Sequence, residues 1–165
     1  MLKIKIKETL LNLILITVLT SGLQAQNIAN HEDSASINQL ILTLFDGMRE
    51  GDSAKVSKVF RKDVKMFSSF TTKEGQKVLR EGKLESFLKA IGTPHDEIWD
   101  ERIWDTQIAV DGGIAQVWTQ YAFYIGSQFS HCGVDAFDLV KDASGQWKII
   151  HLMDTRRMEG CDTEE

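Results

Sequence analysis

Only one of the 165 residues is proline, Pro94, and only two are cysteine, Cys132 and Cys161. With 42% apolar and 26% charged side chains, such a chain is neither fibrous nor disordered and has the make-up of one ordinary domain. It has no His-rich tract and no CxxC spacing, so no metal centre is indicated, and no motif asks for a cofactor. Basic residues are the minority, 19 against 24 acidic, for a formal charge of −5, which argues against nucleic acid and anionic membrane surfaces as partners. No internal repeat and no low-complexity segment occurs.

A long hydrophobic run is also missing. The apolar stretch Leu10 to Leu19 is shorter than the about 20 residues that a transmembrane helix needs. Lys3, Lys5 and Lys7 precede it and small residues from Ser21 to Ala25 follow, the pattern of a secretory signal peptide. Residues 1–25 are therefore expected to be removed after Ala25, giving an exported protein, periplasmic or secreted, with no membrane attachment. Loss of three Lys and one Glu takes the formal charge to −7.

Residues 26–32 read as a loose leader, 33–157 as the domain and 158–165 as a tail. Asp33 or Ser34 can cap a helix whose apolar positions Ile37, Leu40, Ile41, Leu44, Phe45 and Met48 repeat at helical spacing, ending at Gly51. A short helix is expected over Ser53 to Phe60, a strand over Val64 to Phe70 and its partner over Gln76 to Leu79. A third helix, Leu84 to Ile91, stops at Gly92 and Pro94. Four strands then follow, about 98–110, 114–125, 128–141 and 146–156, separated by turn sequences such as Gly126-Ser127. Helices followed by antiparallel strands indicate an α+β domain.

That order, together with GDSAKVSKVFRKDVKMFSS from Gly51 to Ser69, resembles the bacterial ketosteroid isomerases. IAQVWTQYAFYIG, HCGVDAFDLVK and GQWKII are similar to the SnoaL-like and "putative lumazine-binding" branches of the same nuclear-transport-factor-2-like superfamily. The resemblance implies a cone-shaped α+β barrel, three helices on a curved, mostly antiparallel sheet, enclosing a pocket and frequently forming homodimers. The isomerases use a helix-1 tyrosine, an aspartate base and a protonated aspartate. The matching positions here hold Leu44, Ser68 and Asp135. Leucine donates no hydrogen bond, and a lone serine is too weak a base for a carbon-bound proton. Asp135, followed at alternate positions by Phe137 and Leu139, is the strongest pocket candidate, and burial there would raise its pKa.

The remaining pocket residues depend on register. A two-residue turn at Gly126-Ser127, extended by regular pairing, puts Trp118, Gln120, Ala122 and Tyr124 on one face with His131, Gly133, Asp135 and Phe137. The last hairpin adds Ile149, His151 and Met153. His131 and Asp135 lie two pleats apart, roughly 13 Å, too far for direct contact. Of Trp99 and Trp104, at most one faces inward. Trp147 reads as a plug at the sheet edge. An oxidising compartment permits a Cys132–Cys161 disulfide if the tail folds back over the sheet. The aromatic face with scattered polar groups suits an apolar or aromatic small-molecule ligand, bound without catalysis. Two alternatives stay open: an isomerase, dehydratase or cyclase using His131 or Asp135, and a dimeric interaction module with a filled core.

Overall fold

A computed structural model describes residues 31–161. Residues 1–30 and 162–165, which hold the expected signal peptide, most of the leader and the end of the tail, lie outside the described residues. Helix α1 covers 31–50. Its apolar stripe is the expected one: Ile37, Ile41, Leu44, Phe45 and Met48 are all buried. At about 1.5–3 kcal/mol for each fully buried side chain, this stripe is what holds the helix to the rest of the fold. Asp33 falls inside the helix rather than at its cap. Its carboxylate accepts from Lys141 Nζ at 2.5 Å and from Trp147 Nε1 at 3.2 Å, tying the helix to the last hairpin.

Gly51, at φ 69°, ends α1, with Asp52 N donating to Gly47 O and Gly51 N to Met48 O. Asp52 then caps α2, Ser53–Ser57, by accepting from Lys55 N at 2.8 Å. This helix is shorter than the sequence suggests. Val59 N bonds back to Val56 O, while Val59 O accepts from Ile149 N, so the chain has already joined the sheet. Strand β1, Phe60–Thr71, accordingly starts four residues before the expected Val64, with Phe60 paired to Ile149.

The edge strand β2 is Lys77–Gly82, and α3, Leu84–Gly92, follows it. The four long strands are β3, Trp99–Asp111, β4, Ile114–Ile125, β5, Gln128–Lys141, and β6, Trp147–Arg156, within a residue or so of the expected limits. They form one curved sheet in the order β2-β1-β6-β5-β4-β3, antiparallel throughout except where β1 runs parallel to β6. The helices cover one face. There Val117, Phe137, Leu139 and Ile149 are at most 2% exposed, and Phe45 meets Phe137 edge-on at 6.4 Å. Trp147 is buried, but it opens β6, an interior strand between β1 and β5, and so is not at the sheet edge as expected.

Three bulges interrupt the long strands. One extra residue is inserted in β3 at Asp105-Thr106, one in β5 at Ser130, and one in β6 at Ile150. A bulge opposes two residues to one and so reverses which side chains face the core beyond it. After β6 the chain turns back: Arg157 pairs with Cys132 through two 2.9 Å backbone bonds, and Cys161 is disulfide-bonded to Cys132 with Cα atoms 5.9 Å apart. Among the described residues no helix is long and apolar enough to cross a membrane.

Candidate functional site

Between α1, α3 and the inner face of the sheet lies a cavity of about 1220 Å³. Leu44, Phe45, Met48, Phe87, Phe137 and Leu152 give it apolar walls. Its polar part is set by register. Thr119 on β4, Asp135 on β5, Asp154 on β6, Ser68 on β1 and Arg80 on β2 are successive partners, so one row of side chains crosses five strands. All of this row but Thr119 line the cavity, and so do Glu101, Tyr121, His131 and Arg156.

Most of these groups have partners. Ser68 Oγ donates to Asp154 Oδ1 at 2.5 Å and accepts from Arg156 Nη2 at 3.2 Å, while Arg156 Nε donates to Asp154 Oδ2 at 2.7 Å. Tyr121 donates its hydroxyl to Thr155 O at 2.8 Å. That bond depends on Gly133, because a Cβ there would stand 1.8 Å from Thr155 O and 2.7 Å from the Tyr121 ring. Thr119 Oγ1, fully buried, bonds Trp104 O and Thr106 Oγ1. His131 packs between the rings of Tyr121 and Phe123, and its Nδ1 meets Ser130 Oγ at 3.0 Å.

Asp135 is different. It is 4% exposed, and no donor of the described residues reaches its Oδ2. Burial first, then the neighbouring Glu101, holds its carboxyl well above the usual range. Glu101 is likewise raised, to about 7, by burial and by Asp154, against the opposing effects of its hydrogen bond to Asp135 and of Arg156. Two carboxyls can share a hydrogen bond only if one of them is protonated. The pair therefore keeps a proton near neutral pH, as like charges in contact do. Burial also keeps His131 below its ordinary value, so it is neutral, and holds the Tyr121 hydroxyl protonated. Chemically the site can donate a hydrogen bond, accept one, and hold a proton at a carboxyl oxygen.

Of the residues singled out from sequence, the structure brings Leu44, Ser68, His131, Asp135 and Phe137 to the cavity. Trp118, Gln120, Tyr124 and His151 are not there. The Gly126-Ser127 turn pairs Ile125 with Gln128 as expected, but the bulge at Ser130 puts Phe123 opposite His131. The inward residues of β4 are consequently Val117, Thr119, Tyr121 and Phe123, and Trp118 is 51% exposed on the outer face. Tyr124 lies beneath the Arg102 guanidinium at 4.3 Å on that same side. The bulge at Ile150 likewise turns His151 outward, 3.2 Å from Asp138, and leaves Met153 39% exposed, while Ile149 stays inward. His131, Asp135 and His151 thus do not converge, and no group of His, Cys, Asp and Glu among the described residues is placed to hold a metal. Trp99 is the inward one of its pair, stacked on His95 at 3.9 Å.

Sequence reasoning missed Glu101, Tyr121, Asp154 and Arg156. Glu101 had a signal: it sits in the middle of the alternation Trp99, Glu101, Ile103, an acid in an apolar slot.

The model of one family, described as "Putative lumazine-binding", matches residues 32–153. The chain belongs to that family. With it, the chain belongs to the nuclear-transport-factor-2-like superfamily, whose solved members share its fold. A protein of that superfamily with a cystatin-like fold from Novosphingobium aromaticivorans is 13% identical, covering 83% of this chain and 89% of its own, with a TM-score of 0.66. A "Putative Scytalone Dehydratase" from the same organism is 15% identical over 78% of this chain and 87% of its own, TM-score 0.61. A "putative dehydratase" from Streptomyces avermitilis is 14% identical over 78% and 99%, TM-score 0.58. At such identities the likeness concerns the fold alone. No curated protein matches the chain significantly.

Proposed function

We propose that this member of the family binds a small, largely apolar organic molecule inside the cone, with an oxygen function of the ligand set against the Glu101–Asp135 pair. One observation carries the reading: a cavity of about 1220 Å³ with apolar walls is lined by two acids, Glu101 and Asp135, that share a hydrogen bond and so hold a proton. A ligand hydroxyl or carbonyl set against that pair meets carboxyl groups able to accept and to donate. Apolar walls with a few convergent polar groups are the general constitution of ligand pockets. The description of the family also favours a small-molecule ligand, without fixing it as a lumazine. A cavity of this size speaks against a filled-core interaction module.

We further propose that the protein works outside the cytoplasm. The Lys-rich, apolar start and the Cys132–Cys161 disulfide both support export, since such bonds persist in oxidising compartments. The binding test is a thermal-shift and fluorescence titration of the purified protein with neutral aromatic and alicyclic alcohols and ketones, using N-phenyl-1-naphthylamine as the reporter. A ligand of the folded state raises the unfolding midpoint. The expected result is a rise that Asp135→Ala reduces and Trp118→Ala leaves intact; no rise with any compound in the wild type would overturn the reading.

A second reading, proton transfer to or from a bound substrate, is favoured by one specific observation. Glu101 holds its proton up to about pH 7 beside a second carboxyl, the range in which a general acid or base works best at neutral pH. Two structural neighbours carry the word dehydratase in their descriptions. Deuterium incorporation into a bound ketone in heavy water, present in the wild type and absent in Glu101→Gln, would support it. No incorporation in the wild type would return the site to binding alone.

A further inference from the structure

The mouth of the cavity has a charge opposite to that of the whole protein. Lys73, Arg80, Lys83 and Arg157 line the cavity and are exposed, while Glu159 is the one exposed acid lining it. Among the described residues none of these four cations makes an ion pair. The other described arginines do: Arg49, Arg61, Arg102 and Arg156 each meet an aspartate at 2.7–2.9 Å. In a chain of net charge −5, four unpaired cations around one opening are a local excess that acids elsewhere on the surface do not neutralise.

Arg80 shows how this excess is built in. It is the last member of the row that crosses the sheet, opposite Ser68, so it shares the inner face with the carboxyl cluster. Its guanidinium lies 4.8 Å above the Phe70 ring, which holds the fork over the cavity wall while leaving its N–H groups free of any acid partner. An inward charge on an edge strand also guards the edge against pairing with another chain. That role requires one charge and does not explain Lys73, Lys83 and Arg157 around the same opening.

We propose that the ligand is an amphipathic organic acid, its anionic head held at the mouth by Arg80 with Lys83 and its apolar body extending inward toward Phe137 and the Glu101–Asp135 pair. This rests on the reading of the cavity as a ligand site and adds the chemical class of the ligand. The planar guanidinium fork suits a carboxylate or sulfonate head, and a cleft of one sign draws in the opposite charge. The carboxyl pair, holding a proton, cannot receive a second anion, so the acid enters body first.

The experiment compares two probes with the same aromatic body, the anion 8-anilinonaphthalene-1-sulfonate and the neutral N-phenyl-1-naphthylamine, titrated by fluorescence into the full chain. The expected result is tighter binding of the anion at low salt, weakening toward that of the neutral probe as salt screens the mouth. Arg80→Gln should weaken the anion by about tenfold, one charge-assisted contact, and leave the neutral probe within about twofold; Lys83→Gln should act in the same sense. Unchanged thermal midpoints show that both variants are folded. Equal losses for both probes, or none in either variant, would overturn the proposal while the cavity reading stands. Failure of both probes to bind the wild type would overturn both.

Discussion

Replacing Glu101 by glutamine should stabilise the protein at alkaline pH and leave it nearly unchanged in acid. In the unfolded chain Glu101 loses its proton near 4.5; in the fold, burial and Asp154 delay that to about 7. For an acid raised in this way the two states bind protons equally below 4.5. Between 4.5 and 7 the unfolded chain ionises first, so stability falls as pH rises, at most about 1.4 kcal/mol per pH unit. By pH 8 the loss amounts to about 2–3 kcal/mol, allowing for water that reaches the carboxyl from the cavity. Glutamine has the same shape, no charge at any pH, and an amide that can donate to Asp135.

Urea unfolding followed by tryptophan fluorescence, at half-unit steps from pH 4.5 to 9, reads this directly. The wild-type midpoint should fall across pH 5 to 8, and the Glu101→Gln midpoint should fall less steeply, since burial still holds the Asp135 carboxyl raised, and exceed it by about 1–2 M urea at pH 8.5, with a slope of about 1–3 kcal/mol per molar. His131 does not confuse the interval above 6.5: its pKa is lowered, so its contribution is lost only as pH falls below that value. A wild-type curve flat between pH 5 and 8, or a variant less stable than wild type at pH 8.5, would refute the buried proton-holding pair.

Reduction of Cys132–Cys161, or Cys161→Ser, removes a cross-link across a separation of 29 residues, and thermal unfolding with and without dithiothreitol should show a loss of about 3–4 kcal/mol. An unchanged midpoint would mean that the tail is held by its backbone pairing to Cys132 alone. Phe137→Ala, in the packed inner face, should cost about 3–5 kcal/mol in urea unfolding, whereas Trp118→Ala, with the indole half exposed on the outer face, should cost less than about 1. The reverse order would restore the regular register that the Ser130 bulge replaces.

How far the fold and the site could be read from sequence is decided by where the bulges fall. Strand limits, turn positions and the α1 stripe depend on local composition and periodicity, which bulges do not disturb. Asp135 could be placed because no bulge separates it from Phe137 and Leu139, so plain alternation carries across. Trp118, Gln120 and Tyr124 were misplaced by counting outward from the Gly126 turn through Ser130, where the strand takes its extra residue. Counting from the other end, where Ala115 and Val117 are buried, puts Thr119 and Tyr121 inward. Composition alone does not favour that direction, since Ile114 and Trp118 are just as apolar and face out.

The same bulges make the site. With regular pairing from the packed end, where Ile108 and Val110 share a face with Val117 and Ala115, β3 would turn Glu101 outward, and β6 would put His151 and Met153 inside and Asp154 outside. The bulges at Asp105-Thr106 and Ile150 let each strand bury aliphatic side chains under α1 at one end and an acid in the cavity at the other. These two elements carry Glu101 and Asp154 to either side of Asp135, which stays in register with the core. A carboxyl cluster among aliphatic residues is thereby assembled from strands whose binary pattern conceals most of it, because Glu101 and Asp154 occupy slots that uninterrupted alternation from the packed end assigns to solvent. Deleting Ile150 should therefore close the bulge and leave Asp154 opposite Asp135 on the inner face with the raised pKa values of its neighbours intact, whereas deleting Leu152, beyond the bulge, should turn Asp154 outward and abolish them.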